Sequence, residues 1–115
     1  MADCAFCMIV QRQLPAQIVY EDEQVLAFKD INPQTPVHVL VVPKQHYDHI
    51  GADVPEALLG HLFRVAARVA GEQGVAESGY RLITNCGEDG RQTVPHLHIH
   101  LLGGALLPIS MGPAD

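Results

Sequence analysis

A chain of 115 residues with 48% hydrophobic and 17% charged residues has the make-up of one globular domain, residues 1–115, with a single core. Its net charge of −6, with seven lysines and arginines and no basic run, excludes the electrostatic footprint of a nucleic-acid binder. Three cysteines make a poor disulfide framework, the start lacks a signal-peptide pattern, and no apolar run approaches membrane-spanning length, so a cytoplasmic protein without membrane partners is expected.

Residues 4–12 read as a short helical entry that stops before Leu14-Pro15. Two short strands follow, 18–21 and 25–29, joined by a turn at Asp22-Glu23. The next segment, 30–36, carries Pro33 and Pro36 and must be a loop. Residues 37–42 are the clearest strand, rich in valine and closed by Pro43. One long helix is expected from Val54 to about Gly71, with Asp53 and Glu56 at capping-box spacing and Pro55 in the first turn. Leu58, Leu62, Val65, Ala66 and Val69 form its core stripe. His61 lies beside that stripe and reads as a structural or exposed residue, since nothing near it in sequence pairs with it. Residues 80–85 form a fourth strand, and the turn-rich Gly87-Glu88-Asp89-Gly90 leads toward a fifth as in a hairpin. Five strands and one long helix, with the short N-terminal helix, indicate an α+β fold built on an antiparallel sheet.

The fifth strand carries the chemistry. From Thr93 the chain reads Val94-Pro95-His96-Leu97-His98-Ile99-His100-Leu101-Leu102-Gly103-Gly104. A strand sends alternate side chains to one face, advancing roughly 6–7 Å per two residues, so His96, His98 and His100 line up while Leu97, Ile99 and Leu101 enter the core. In a helix the imidazoles would fan apart by roughly 200° per step of two. Three aligned imidazoles can hold a metal, attack a phosphorus centre, or merely form the polar face of a strand. Gln92 and Thr93, just before them, are placed to hold phosphate oxygens. Cys4-x-x-Cys7 is half of a zinc site, because zinc wants four ligands; read alone, it is equally a pair of buried thiols.

The alternation His-apolar-His-apolar-His-apolar-apolar resembles the signature of the histidine triad superfamily of nucleotide hydrolases and transferases. Gly90-Arg91-Gln92-Thr93-Val94 before it, Gly103-Gly104 after it, and Cys4-Ala5-Phe6-Cys7 near the start are similar to the Hint branch, the nucleoside phosphoramidases. The resemblance implies a homodimer that takes a purine nucleotide resembling AMP and cleaves the P–N bond of nucleoside 5′-phosphoramidates through a nucleotidyl-histidine. It implies His98 as nucleophile, supported by His38, with Asn85, Gln92, Thr93 and His100 on the phosphate or its ester oxygen. Asp30 would take the ribose hydroxyls, as an acid does in dinucleotide folds. Phe6, Phe28 and Ile31 would wall the base slot, with Ala5 and Lys29 beside them; Phe6 and Phe28 also read as plain core.

Several bacterial-type members complete the Cys pair with two histidines, which here would be His46 and His96, with His49 as a substitute; that set would hold a structural zinc that catalysis does not require. Cys86 reads as a bystander. Two departures bear on specificity: Arg91 stands where Hint proteins usually have glycine, and the C-terminal segment has no tryptophan. The alternatives are a dinucleoside-polyphosphate hydrolase of the Fhit type and a nucleotide- or zinc-binding regulatory protein.

Overall fold

The structure is a computed structural model that describes residues 4–110. Its elements in chain order are α1 (Ala5–Val10), β1 (Ile18–Glu21), β2 (Val25–Lys29), β3 (Val37–Pro43), α2 (Glu56–Glu72), β4 (Tyr80–Ile83) and β5 (Ile99–Gly103). The strands form one antiparallel sheet in the order β1-β2-β3-β5-β4. The expected fold class holds, and the expected C-terminal residues 111–115 lie outside the described part.

Both faces of the central strands are covered, which is why β2 and β3 read as almost continuous apolar runs. Val25, Ala27, Val39, Val41, Ile99 and Leu101 pack on one face against Leu58, Leu62, Val65, Ala66 and Val69 of α2. Leu26, Phe28, Leu40 and Val42 point the other way and meet Cys4, Phe6 and Cys7 of the N-terminal segment. Period-two alternation then sends His38 and His100 to this second face. Pairing of β3 with β5 sets Leu40 opposite His100 and His38 opposite Leu102, so the two histidines are diagonal neighbours.

The triad segment keeps the alternation but is not strand throughout. β5 begins at Ile99, so His96 and His98 precede it. The ladder partner of Leu97 would be Pro43, which has no N–H to give. Leu97 N–H instead donates to the Tyr47 carbonyl (2.6 Å). All three histidines are nonetheless buried, as are Leu97, Ile99 and Leu101 between and beyond them. β4 likewise ends at Ile83, short of Asn85. At the far end Gly104 takes φ +90°, and a Cβ there would come 2.9 Å from the Pro36 ring, so the chain leaves β5 in a conformation that suits glycine.

Two helix ends differ from expectation. The capping box does not form: α2 starts at Glu56 with Pro55 as its N-cap and no side-chain cap bond. A residue before proline is pushed out of the helical region, so Val54 cannot open the helix, and Asp53 sits too far upstream to cap it. α1 stops at Val10, and Arg12 adopts φ 64°.

His61 has a partner that its own neighbourhood in sequence does not reveal. Its Nε2 lies 2.6 Å from Asp22 Oδ2, tying α2 to the β1–β2 turn. Burial would raise the Asp22 pKa, but the Gln24 and Val25 amides, His61 and the Tyr20 hydroxyl outweigh it and hold the carboxyl at about 2, against an ordinary 3.8. A depressed carboxyl stabilises the fold above pH 4 and loses that contribution as pH falls toward 2. The loss amounts to roughly 2 kcal/mol. Denaturant unfolding of wild type and Asp22→Asn at pH 5 and at pH 2.5 measures it: the variant's stability should fall less over that interval. Equal losses would remove Asp22 as the cause.

Candidate active site

Phe6 is the hinge between two halves of the site. It projects from α1 because Cys4 caps that helix, with Cys4 Sγ accepting from Cys7 N–H at 3.3 Å. On one side Phe6 meets Phe28 edge-to-face, with ring centroids 5.5 Å apart. On the other it meets the His98 imidazole at 5.0 Å. A cavity of about 370 Å³ opens beside the phenylalanines, lined among others by Phe6, Phe28, Asp30, Ile31, Leu40 and Val94. The structure thus brings together all four slot residues expected from sequence, with apolar walls and a carboxylate at the rim. Leu40 and Val94 complete the walls, and their hydrophobicity alone did not distinguish them from core.

The histidines have assigned roles in hydrogen bonding because carbonyls only accept and backbone amides only donate. His98 Nδ1 lies 2.7 Å from the His96 carbonyl oxygen, so in the neutral ring Nδ1 carries the proton and Nε2 the lone pair. His38 Nδ1 accepts from Gln34 N–H (3.1 Å), which places its proton on Nε2. That N–H donates to His100 Nδ1 at 2.9 Å, leaving the His100 proton on Nε2. The rings of His98 and His100 stand 5.1 Å apart. One imidazole therefore carries a lone pair at Nε2, and its neighbour carries a donor at the corresponding atom. Asp30 Oδ2 comes within 3.5 Å of His38 Nε2.

The loop before the triad is knitted by its own polar side chains. Asn85 Nδ2 donates to the Gly90 carbonyl (2.7 Å). Gln92 Nε2 donates to the Asp48 and Val94 carbonyls, and Gln92 Oε1 accepts from Gly87 N–H. Gly90 is required there: a Cβ would overlap the Cys86 carbonyl oxygen. Thr93 is exposed, on a cleft of about 510 Å³ shared with Arg91 and Gln92. Arg91 adopts φ 66°, a conformation that favours glycine. Cys86 is exposed and free.

Behind His98 lies a second cluster. One potential ligand atom each from Cys4, Cys7, His46 and His96 falls within 4.8 Å of all the others. Sulfur to Nδ1 distances are 3.3 Å (Cys4–His96), 3.1 Å (Cys7–His46) and 3.4 Å (Cys7–His96). Tetrahedral zinc sets sulfur and nitrogen ligands roughly 3.5 Å apart, so the cluster needs little adjustment to hold one. The outer nitrogens fit as well. His96 Nε2 donates to the Pro43 carbonyl (2.9 Å) and His46 Nε2 to Asp48 (2.8 Å), which turns both Nδ1 lone pairs toward the thiols. His49 instead accepts from Gly51 N–H and is not part of the cluster. Burial holds the His96 pKa down at about 4, and burial together with Cys4 pushes the Cys7 thiol up to about 11. Sequence reasoning missed the outer partners. Asp48, two residues after His46, was a legible candidate; the Pro43 carbonyl and the Gln34 amide are main-chain groups with no sequence signal.

The model of the HIT domain family matches residues 11–106. The chain belongs to the HIT family. A HIT-like protein of Synechocystis is 50% identical over 113 residues, covering 96% of each chain. Among solved structures, a HIT family hydrolase from Clostridium thermocellum matches with a TM-score of 0.86 at 50% identity, covering 98% of this chain and 96% of that one. Another HIT family hydrolase, from Legionella pneumophila Philadelphia 1, matches with a TM-score of 0.91 at 41% identity, covering 96% of this chain and all of that one. Among the described residues no helix is long and apolar enough to cross a membrane.

Proposed function

We propose that this HIT protein is a nucleotide hydrolase of the Hint type, cleaving purine nucleoside 5′-phosphoramidates. The observation that carries this reading is the pairing of His98, whose Nε2 lone pair is set by the bond from Nδ1 to the His96 carbonyl, with a slot that combines apolar walls and the Asp30 carboxylate. The base enters between Phe6, Phe28 and Ile31, and the ribose hydroxyls donate to Asp30. His98 Nε2 attacks the α-phosphorus, the P–N bond breaks, and the amine leaves with a proton drawn from solvent. Water then attacks the phosphorus, breaking the bond to Nε2 and returning a proton to solvent, which releases the nucleoside monophosphate and restores His98. A neutral imidazole is a competent nucleophile near pH 7, since its unperturbed pKa is about 6.5. The His100 Nε2–H and the exposed Thr93 hydroxyl stabilise charge growing on the phosphoryl oxygens, while Gln92, whose amide donates to Asp48 and Val94, holds the loop that carries Thr93. One preparation assayed on adenosine 5′-phosphoramidate and on diadenosine tri- and tetraphosphate decides the substrate class. Faster turnover of the polyphosphates would replace this reading with the Fhit-type alternative; binding without turnover of either would favour a regulatory role.

The same reading includes one structural zinc per chain, on Cys4, Cys7, His46 and His96. It also includes a symmetric dimer through α2 and β4. β4 is an edge strand, Tyr80 on it and Phe63 on α2 leave apolar surface exposed, and unpaired edges are commonly covered by a second copy. Light scattering at micromolar concentration should give twice the chain mass. A monomer would overturn the dimer.

A further inference from the structure

Asp30 makes two contacts within the protein, apart from the one proposed to a ligand's ribose. Oδ1 accepts from Asn32 N–H at 2.8 Å, which fixes the rotamer of the carboxylate. Oδ2 is thereby held 3.5 Å from His38 Nε2, on the same N–H that donates to His100. Ligand atoms of Asp30, His38 and His100 all lie within 4.8 Å of one another, a grouping that would also suit a metal. The Gln34 amide on His38 Nδ1 argues for a proton instead, because it keeps His38 Nε2 protonated.

We propose that Asp30 is a positioning residue for the His38–His100 pair, in addition to its ribose contact. This rests on the phosphoramidase reading above. The Gln34 amide sets the His38 tautomer; the carboxylate, 3.5 Å from Nε2, attracts that N–H and steadies the ring in the orientation in which His100 accepts at Nδ1 and keeps its donor at Nε2. No proton is transferred; the chain of donors is held in one direction. Asparagine cannot replace aspartate here. One of its two amide atoms must accept from Asn32 N–H, and the NH₂ group then faces the His38 N–H, donor against donor. Turning the amide over moves the same conflict to Asn32. Every orientation breaks one contact, although the shape is unchanged.

The test separates the two roles by removing the ribose hydroxyls from the substrate. Wild type and Asp30→Asn are compared on adenosine 5′-phosphoramidate and its 2′,3′-dideoxy analogue. Loss of ribose contact alone would weaken binding of the first and leave the second untouched. Loss of positioning lowers kcat on the dideoxy analogue at least roughly tenfold with its Kd unchanged, as small misplacements of reacting groups do. A kcat for the variant within about twofold of wild type on that analogue would overturn the proposal. Nitrogen NMR of the histidine side chains in ligand-free protein tests the contact without any substrate. The His38 ring should stay Nε2-protonated in both proteins, because the Gln34 amide remains on Nδ1, while the His38 Nε2 and His100 Nδ1 resonances shift in Asp30→Asn as their bond loosens; identical spectra would overturn the proposal. Wild type inert toward both phosphoramidates, with spectra that still respond to the substitution, would sink the substrate assignment and support the contact.

Discussion

His98→Ala is expected to lower kcat on adenosine 5′-phosphoramidate by at least about 10³-fold, with nucleotide binding still measurable, because removing a covalent nucleophile closes the pathway itself. On the proposed reading affinity comes from the slot lined by Phe28, Ile31 and Leu40 and from Asp30, with Phe6 as the slot wall that packs on the His98 ring. The imidazole is buried, so its removal leaves a void next to Phe6 and His100 and costs some stability. His98→Asn keeps part of the volume and separates the chemical loss from the structural one. Single-turnover measurements with either variant should show no nucleotidyl-protein intermediate, which in wild type would be trapped by an alkaline detergent quench, since the P–N bond to histidine is labile in acid. A variant retaining more than a few per cent of wild-type kcat would remove His98 from the nucleophile's role.

Chelation is expected to lower the melting temperature by more than about 10 °C, given typical gains of a few kcal/mol from a tightly held ligand in a domain of this size. The cluster joins three parts of the chain: the N-terminal turn with Cys4 and Cys7, the segment after β3 with His46, and His96 at the approach to β5. Four protein ligands would leave no open position on a bound zinc, so its role would be structural. Its influence on chemistry would be through geometry, since the His96 carbonyl that sets the His98 tautomer belongs to a ligand residue. Elemental analysis of protein purified without an affinity tag should find about one zinc per chain, as closed four-ligand sites do. Cys7→Ser should lose both the metal and the thermal increment. Less than about a tenth of an equivalent, in protein still folded and active after chelation, would reduce Cys4 and Cys7 to buried thiols.

Periodicity, with the turn and proline signals, marked the strands and the long helix, and it put His96, His98 and His100 on one face, because side-chain alternation survives even where the ladder stops. Residue type and the family resemblance marked Phe6, Phe28, Asp30 and Ile31 as one slot, and Cys4, Cys7, His46 and His96 as one cluster; the structure brings each set together. Boundaries were less legible. Pro43 ends the pairing opposite Leu97, an effect of a residue distant in sequence, and the proline after Val54 shifts the helix start past the apparent capping box. His61 looked unpartnered for the same reason, since Asp22 reaches it only when α2 packs on the sheet. Tertiary structure by itself decided which ring nitrogen of each histidine carries the proton. Those assignments come from the Gln34 amide and the Pro43 and His96 carbonyls, groups that every residue possesses and that acquire direction only once the chain is folded.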